Sequence, residues 1–502
     1  MRVVQKVQME IGEVDISKMK FDPRLRDDIP KILRGLQYLY VDVALRKKLF
    51  HLLETEISPK ADKCNGRPGM SLWAIFVCGV IRLDLNIDYD RLHELVNKHK
   101  DLREMLGNTT YDDDTYKLQT LKDNVGLLDV TLLDKINALI VASGHALVKK
   151  KPDEALRGRC DSFVVETSVH FPTDISLLYD AMRKVITLTA QWCERHGVSS
   201  WRQSAYNVRQ IKQFKRAAQN TKRSKTQSEE QDKKNAQRVV EAHQQLLETS
   251  QQYLDKAKET HTTLSALCKT NVSTIDCSLQ REIEHFMQHA QRQIDQTKRR
   301  VILGETIPHA EKVLSIFEPH TEWVSKGKAG VPVELGLRVC ILEDQHQFIL
   351  HHRVMEKETD DQVTVTMVTE AKKRHAKLNA CSFDKGFHSP ENQIALKEHL
   401  ALVALPRKGK LSQQAKAAEQ TEEFIKARRA HSAVESAINA LEVHGLDICP
   451  DRGIEGFKRY AALAVVAKNI HRIGAILSQQ EQKRAQRKSH YAASDPPYKK
   501  AA

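Results

Sequence analysis

Three acidic residues are spaced so that a fold of alternating strands and helices would gather them. Asp161 lies in a β-branched stretch, Asp384 directly follows a second short apolar run, and Glu435 sits inside a long helical stretch, 223 and 51 residues apart in turn. Carboxylates brought together by adjacent strand ends and one helix form a clamp of hard oxygen ligands. Such a clamp suits two Mg²⁺ or Mn²⁺ ions roughly 3.5 to 4 Å apart, one activating the attacking oxygen and one stabilising the leaving oxygen in phosphoryl transfer. Without a cation the like charges raise each other's pKa values, so the trio itself calls for metal. The chain has 65 acidic residues, and a lone one is normally a solvated surface charge, so the choice of these three rests on the residues around them.

His431 precedes Glu435 by four residues, the spacing of one helical face. It reads as a hydrogen-bond partner of that carboxylate or of a phosphate, or as an ordinary packed histidine. Arg428 and Arg429, one to two turns before Glu435, read as phosphate contacts in that setting. Glu166 and Asp174 stand near the first acid, and Asp174 is well explained as a helix cap. Two loops pair glycine, which lets backbone approach closely, with cations that neutralise phosphate. They are Lys326-Gly327-Lys328-Ala329-Gly330 and Pro406-Arg407-Lys408-Gly409-Lys410, and both read as DNA contacts ahead of simple polar turns.

The elements that must position these residues follow from apolar periodicity. Helical spacing runs from Pro30 to Leu53 and again from Ser71 to Arg82, where the stretch is apolar nearly all round; a turn and an amphipathic helix through Arg91, Leu92, Leu95 and Val96 follow. That order suits a helical DNA-binding module and equally a plain helical bundle. Residues 158–170 read as a strand, and from Thr173 the pattern is helical for more than a hundred residues. A hairpin comes next (Val331 to Leu342 and Gln347 to Val354), then a helix to Lys377, a strand at Leu378 to Phe383, a helix from Pro390 to His399, a strand at Leu400 to Leu405, and a helix from about Glu422 to Leu441. The expected division is a helical N-terminal DNA-binding domain over 1–152, an α/β core with a mixed five-stranded sheet from 153–172 and 322–478, a basic helical insertion over 173–321, and a disordered basic tail over 479–502.

A length of 502 residues exceeds the roughly 250 to 300 at which single cores stop growing, which implies two or three structural units. Lys and Arg outnumber Asp and Glu by 79 to 65, a formal charge of +14. Nucleic acid, the ribosome, an anionic membrane or solubility alone would each account for that charge. Much of it is local: between Arg202 and Arg238 eleven basic residues, Lys215, Arg216, Lys222 and Arg223 among them, face three acidic ones. The block reads as a helical arm on DNA backbone or as a solvated face. Nine scattered cysteines without a C-x-x-C pair disfavour a zinc ribbon and a secreted disulfide scaffold. The runs Leu72 to Leu83 and Ala461 to Ala467 fall short of the roughly 20 apolar residues that cross a bilayer, and the N-terminus has no signal-peptide core. The expectation is a bacterial cytoplasmic protein, associated with the nucleoid when bound to DNA, with no membrane partner.

The words around the three acids resemble a known family. Asp161-Ser162-Phe163-Val164-Val165-Glu166-Thr167 with His170-Phe171-Pro172-Thr173-Asp174 behind it, Phe383-Asp384-Lys385-Gly386-Phe387, and His431-Ser432-Ala433-Val434-Glu435 followed by His444-Gly445-Leu446-Asp447 are similar, in this order, to the three blocks of DDE insertion-sequence transposases. The Ser71 to Gly107 region also resembles their N-terminal domain. The resemblance implies a ribonuclease-H-like catalytic core, from whose minimal form this sequence departs by the large helical, basic insertion between the first strand and the hairpin. It implies an enzyme that binds the terminal inverted repeats of its element, cleaves double-stranded DNA at the ends and joins the 3′-hydroxyl to target DNA, acting as a homodimer or larger assembly. Asp161, Asp384 and Glu435 would hold two Mg²⁺ or Mn²⁺ ions. A derivative that binds DNA without chemistry would keep the fold and lose the cutting.

Overall fold

The computed structural model describes residues 3–5, 9, 11–22, 25, 27–57, 69–109, 116–149, 151, 153–221, 229–267, 273–325 and 333–494. The chain divides into two compact units, one formed by Met1–Ser168 with Val324–Ala502, the other by Val169–Trp323. The expected separate N-terminal domain is not a unit of its own, because its helices share one core with the sheet.

Among the described residues seven α-helices come first: α1 (Asp28–Val41), α2 (Val43–Ile57), α3 (Leu72–Asp84), α4 (Tyr89–Lys98), α5 (Lys100–Met105), α6 (Leu118–Val125) and α7 (Val130–Val148). The single helix expected over Pro30 to Leu53 is two. Asp42 leaves helical geometry at φ −69°, ψ 108°, and its carboxylate accepts the Leu45 N–H at 2.9 Å, so one local hydrogen bond caps the next helix and breaks the periodic run. Every residue of α3 is buried, as its all-round apolar sequence requires. Side-chain caps start α3 and α7: Ser71 Oγ accepts from Ala74 N–H and Asp129 Oδ1 from Leu132 N–H.

Strand β1 (Leu156–Thr167) leads into the second unit, which holds α8 (Asp174–Arg195), α9 (Ser204–Asn220), α10 (Glu229–Leu267) and α11 (Thr274–Thr297). Thr173 caps α8, which agrees with the reading of Asp174 as part of a helix start; Asp174 also pairs with Arg300 at 2.9 Å. This unit has its own core, in which Leu178, Ile186 and Trp192 of α8 meet Leu246 and Leu254 of α10 and Ile283 and Phe286 of α11. The helical insertion therefore carries enough apolar surface to fold on itself, at about 1.5 to 3 kcal/mol for each such side chain buried.

The chain leaves that unit through β2 (Glu322–Ser325), followed by the hairpin β3 (Val333–Asp344) and β4 (Ile349–Met355), α12 (Asp360–Arg374), β5 (Leu378–Phe383), α13 (Pro390–His399), β6 (Leu402–Ala404), α14 (Gln413–Glu419), α15 (Glu422–His431), α16 (Ala433–Leu441), β7 (Ile448–Cys449) and α17 (Gly453–Ser494). The sheet is mixed and seven-stranded, in the order β2-β3-β1-β5-β6, with β4 pairing β3 and β7 pairing β1. Five strands were expected; β2 and β7 are the additions, two to four residues each and too short to leave a period in the sequence. Strand β1 runs antiparallel to β3 and parallel to β5 and β7.

Helices from both chain ends close the core. Gly35 and Gly474 let α1 and α17 touch backbone to backbone: a Cβ on Gly474 would lie 1.8 Å from Lys31 O, and one on Gly35 2.3 Å from Ile470 O. Asn469 of α17 donates to Asn137 Oδ1 of α7 at 2.7 Å and to Ile349 O of β4 at 3.0 Å, and accepts the Ile349 N–H at 2.9 Å. These buried amides hold α7, α17 and the sheet in one register. Helix α7 and much of α17 are long and apolar enough to cross a membrane by length and composition. The run Ala461 to Ala467 noted in the sequence understates α17, and α7 was not noted, because polar residues punctuate each helix; two thirds of the α17 window is buried inside the protein. The tail expected to be disordered from 479 instead continues α17 as far as Ser494, since the buried part supplies the helical nucleus and an Arg34–Glu481 ion pair ties it to α1.

Candidate active site

Strands β1 and β5 run in parallel with Cys160 opposite Phe383, so the next residues along the two strands, Asp161 and Asp384, stand side by side. Strand β5 ends there: Asp384 remains extended, and its carbonyl accepts the Phe387 N–H at 3.2 Å to close the Lys385–Phe387 turn. Glu435 lies in the first turn of α16, which packs on β1 through the face that buries Val434 and Ala437. Asp161 is half-buried, whereas Asp384 and Glu435 are exposed, so the face is open. Burial pushes the Asp161 carboxyl up to about 6; the Ser162 N–H opposes this at 2.8 Å, and the negative charges of Asp384, Asp360 and Glu435 add to it. Two of the acids singled out in the sequence, Asp384 and Glu435, thus act on the third, Asp161.

Asp360 was not anticipated. It is the first residue of α12, and Ser162 Oγ donates to its Oδ1 at 2.6 Å. Gly386 leaves room for it, since a Cβ there would sit 3.0 Å from Asp360 Oδ2. In sequence, Thr359 and Gln362 form a capping box, and an aspartate just inside it reads as helix-start chemistry. Only the pairing of β4 on β3 and β3 on β1 carries that helix start to Ser162.

The donor set is all carboxylate oxygen, and its internal repulsion asks for positive charge, which fits hard divalent cations such as Mg²⁺ or Mn²⁺. Among the described residues, the three-residue group whose donor atoms all lie within 4.8 Å of one another is elsewhere, at Asp84, His444 and His471.

The helix expected over Glu422 to Leu441 breaks at Ser432 into α15 and α16. His431 and Glu435 therefore belong to two successive helices, with Ser432 between them still in right-handed helical geometry. It closes α15, and its Nδ1 meets Ser382 Oγ at 3.1 Å on the neighbouring strand. Burial lowers its pKa, against the pull of Asp384, while Arg159 lowers it further and Glu435 opposes. Arg159 ties the strand to this region: it pairs with Glu343 at 2.8 Å and donates to Asp344 O at 2.5 Å and to Ala430 O at 3.5 Å.

Arg428 and Arg429 are exposed in the last turn of α15. Arg407, Lys408 and Lys410 are exposed too, and Lys408 Nζ donates to Gly386 O at 2.9 Å, which brings this loop to the turn that follows Asp384. The Arg407 N–H donates to Glu419 Oε1 at 3.0 Å. Lys215 and Arg216 belong to α9 in the other unit; Arg216 is exposed, while the Lys215 ammonium sits over the Tyr179 ring at 4.9 Å and is part-covered. Lys326, Lys328, Lys222 and Arg223 lie outside the described residues. Set against protein-family models, curated proteins and solved structures, the chain matches none.

Proposed function

We propose that the chain is a DDE transposase of the bacterial insertion-sequence kind, which binds the terminal inverted repeats of its element, cleaves DNA at the ends and joins the 3′-hydroxyl to target DNA. One observation carries this reading: the β1–β5 register sets Asp161 beside Asp384 with Glu435 within electrostatic reach, and these are the acids of the three sequence blocks. The strand order β4-β3-β1-β5-β6, antiparallel through the hairpin and parallel from β1 to β6, supports a ribonuclease-H-like core.

Asp161, Asp384 and Glu435 would hold two Mg²⁺ or Mn²⁺ ions, whose Lewis acidity would serve the attacking and leaving oxygens of the phosphodiester. The chain's own residues bind and orient. Arg407, Lys408 and Lys410 neutralise phosphate next to Asp384, and the Lys408 tether on Gly386 O keeps that charge at the site. Arg428 and Arg429 extend the basic rim along α15. His431, held by Ser382 and favoured in its neutral form by burial, offers a ring nitrogen for hydrogen bonding beside the carboxylates. Two element ends must be joined at once, so the working form is a dimer or larger.

The test is strand transfer of a labelled element-end oligonucleotide in Mg²⁺ or Mn²⁺, comparing wild type with Asp161→Asn, Asp384→Asn and Glu435→Gln. Wild type joins the end to target DNA, and each variant binds but loses joining by roughly 10³-fold or more, the rate equivalent of several kcal/mol of transition-state stabilisation. Wild type that binds and never cuts replaces this reading with a catalytically silent DNA-binding derivative. Variants that join normally remove these acids from the site.

A further inference from the structure

A second cluster of metal-competent side chains lies in the first unit, on residues that take no part in the site above. Asp84 closes α3, His471 is carried by α17, and His444 sits in the wide turn Glu442–Leu446 that follows α16. One donor atom from each lies within 4.8 Å of the other two. The Asp84 side chain is fully buried, and those of His444 and His471 are 12% and 14% exposed. Gly445 makes the turn possible: its φ of +103° belongs to glycine, and its carbonyl accepts from Tyr460 Oη at 3.1 Å.

The contacts within the cluster orient donor atoms as metal ligands are oriented. His444 Nδ1 bonds the main-chain carbonyl of Asp84. A carbonyl only accepts, so Nδ1 carries a hydrogen, and in the neutral ring Nε2 is the nitrogen left to bind a metal. Metal-bound imidazoles are commonly held in this way, with the second nitrogen donating to a backbone carbonyl. His471 Nδ1 lies 2.9 and 3.1 Å from the two Asp84 oxygens, its ring centre 4.9 Å from that of His444. A fourth oxygen is near, Asp28 Oδ1 at 4.0 Å from His471 Nε2.

Charge argues the same way. A buried carboxylate needs a compensating cation, which a protonated His471 at 2.9 Å or a bound metal ion would each supply. The Arg82 guanidinium, on the same helix, is taken by Asp451 at 2.7 Å, and Lys31 by Asp28 at 2.7 Å. Buried Lys468 answers first to Glu343 and only then to Asp84.

We propose that Asp84, His444 and His471 bind a single borderline dication, Zn²⁺ by preference, as a structural clamp distinct from the carboxylate site. Two imidazoles and one carboxylate suit zinc, with ligand distances of about 2.0 to 2.2 Å and a fourth position open to water or Asp28. An all-carboxylate set suits Mg²⁺ or Mn²⁺ instead. The clamp joins α3, α17 and the turn that ends the Glu435 helix, so that loss of the ion frees the far end of α16 while leaving the β1–β5 register intact. This inference stands whether or not the chain acts on DNA.

The experiment uses the full-length protein, stripped with chelator and titrated with Co²⁺, and reads stoichiometry together with visible absorption; four- or five-coordinate sites with imidazole absorb more strongly than six-coordinate oxygen sites. The double variant Asp161→Asn/Asp384→Asn disables the carboxylate site and is titrated alongside. It retains a single equivalent with strong absorption, Zn²⁺ displaces the Co²⁺ and raises Tm, and His444→Gln and His471→Gln lose that equivalent. Binding that vanishes in the double variant, or that persists unchanged in folded histidine variants, overturns the proposal. Should the histidine variants fail to fold, the stoichiometry and spectrum of the double variant decide by themselves, because a silent titration there also overturns it.

Discussion

The first unit holds two clusters of ionisable side chains built on opposite plans. Around Asp161 the donors are all carboxylates, two of the three expected acids are exposed, and repulsion among them is left standing on an open face. Around Asp84 the donors are one carboxylate and two imidazoles, almost wholly buried, with both imidazoles hydrogen-bonded to Asp84. An open site that stores repulsion can take up cations and a polyanion; a closed site with matched donors holds helices together. Surrounding cation supply separates them as well. Exposed Lys408 reaches the turn that follows Asp384 in the first, whereas Arg82 and Lys31 near the second are committed to other carboxylates.

The contrast can be broken most directly at its buried end. Asp84→Ala removes the one carboxylate facing both histidines and should cost about 3 to 5 kcal/mol in urea unfolding, the usual loss when one member of a buried pair is deleted; a loss below about 1 kcal/mol would make this cluster as dispensable as a surface pair. Acid provides the next largest effect. Burial depresses the pKa of His351 to about 3 and of His375 to about 4, with neighbouring His352 and His145 respectively adding to the shift. Their folded pKa values lie below the unfolded one near 6.5, so the stability they contribute is fully present above that pH and is lost as pH falls towards 4. Roughly 2 kcal/mol for each histidine should disappear between pH 7 and pH 5, and His351→Asn should flatten the fall in Tm over that range.

A smaller effect maps the edge of the open cluster. Asp360→Asn keeps the size of the side chain and its contact with Ser162 Oγ while removing a charge, and should lower strand transfer by about 10 to 100-fold, as for partners that support metal ligands; an unchanged rate would confine the site to the three expected acids. The smallest effect has the opposite sign. Asp161→Asn relieves repulsion with Asp384, Asp360 and Glu435, and should raise unfolding stability by about 1 kcal/mol even as strand transfer is lost. A fall in stability on that substitution would mean that the open cluster is held together by its acids rather than strained by them.

Local chemistry reaches a definite distance in this chain. The hairpin β3–β4, strand β5 and helix α13 lie where apolar periodicity places them, because a strand or helix with one buried face must repeat its apolar residues at that element's own period. Breaks at Asp42 and Ser432 escaped that reading, since a cap or a short turn interrupts the backbone without interrupting the apolar stripe. The helical end of α17 escaped it for the converse reason: a polar segment reads as disordered when its own composition is all that is weighed, yet it extends a helix nucleated in the core.

Composition and the three acidic blocks were enough to single out Asp161, Asp384 and Glu435 together, and to read the insertion over 173–321 as helical and basic. Only the tertiary structure decided that the N-terminal helices share a core with the sheet, that Asp360 arrives beside Ser162, and that Asp84, His444 and His471 meet across 387 residues of chain. Motifs and periodicity record what a residue needs from its immediate neighbours along the chain. Which distant side chains it meets depends on strand register and helix crossing, such as Cys160 opposite Phe383 or Gly35 against Ile470, and those are settled by close packing over the whole unit.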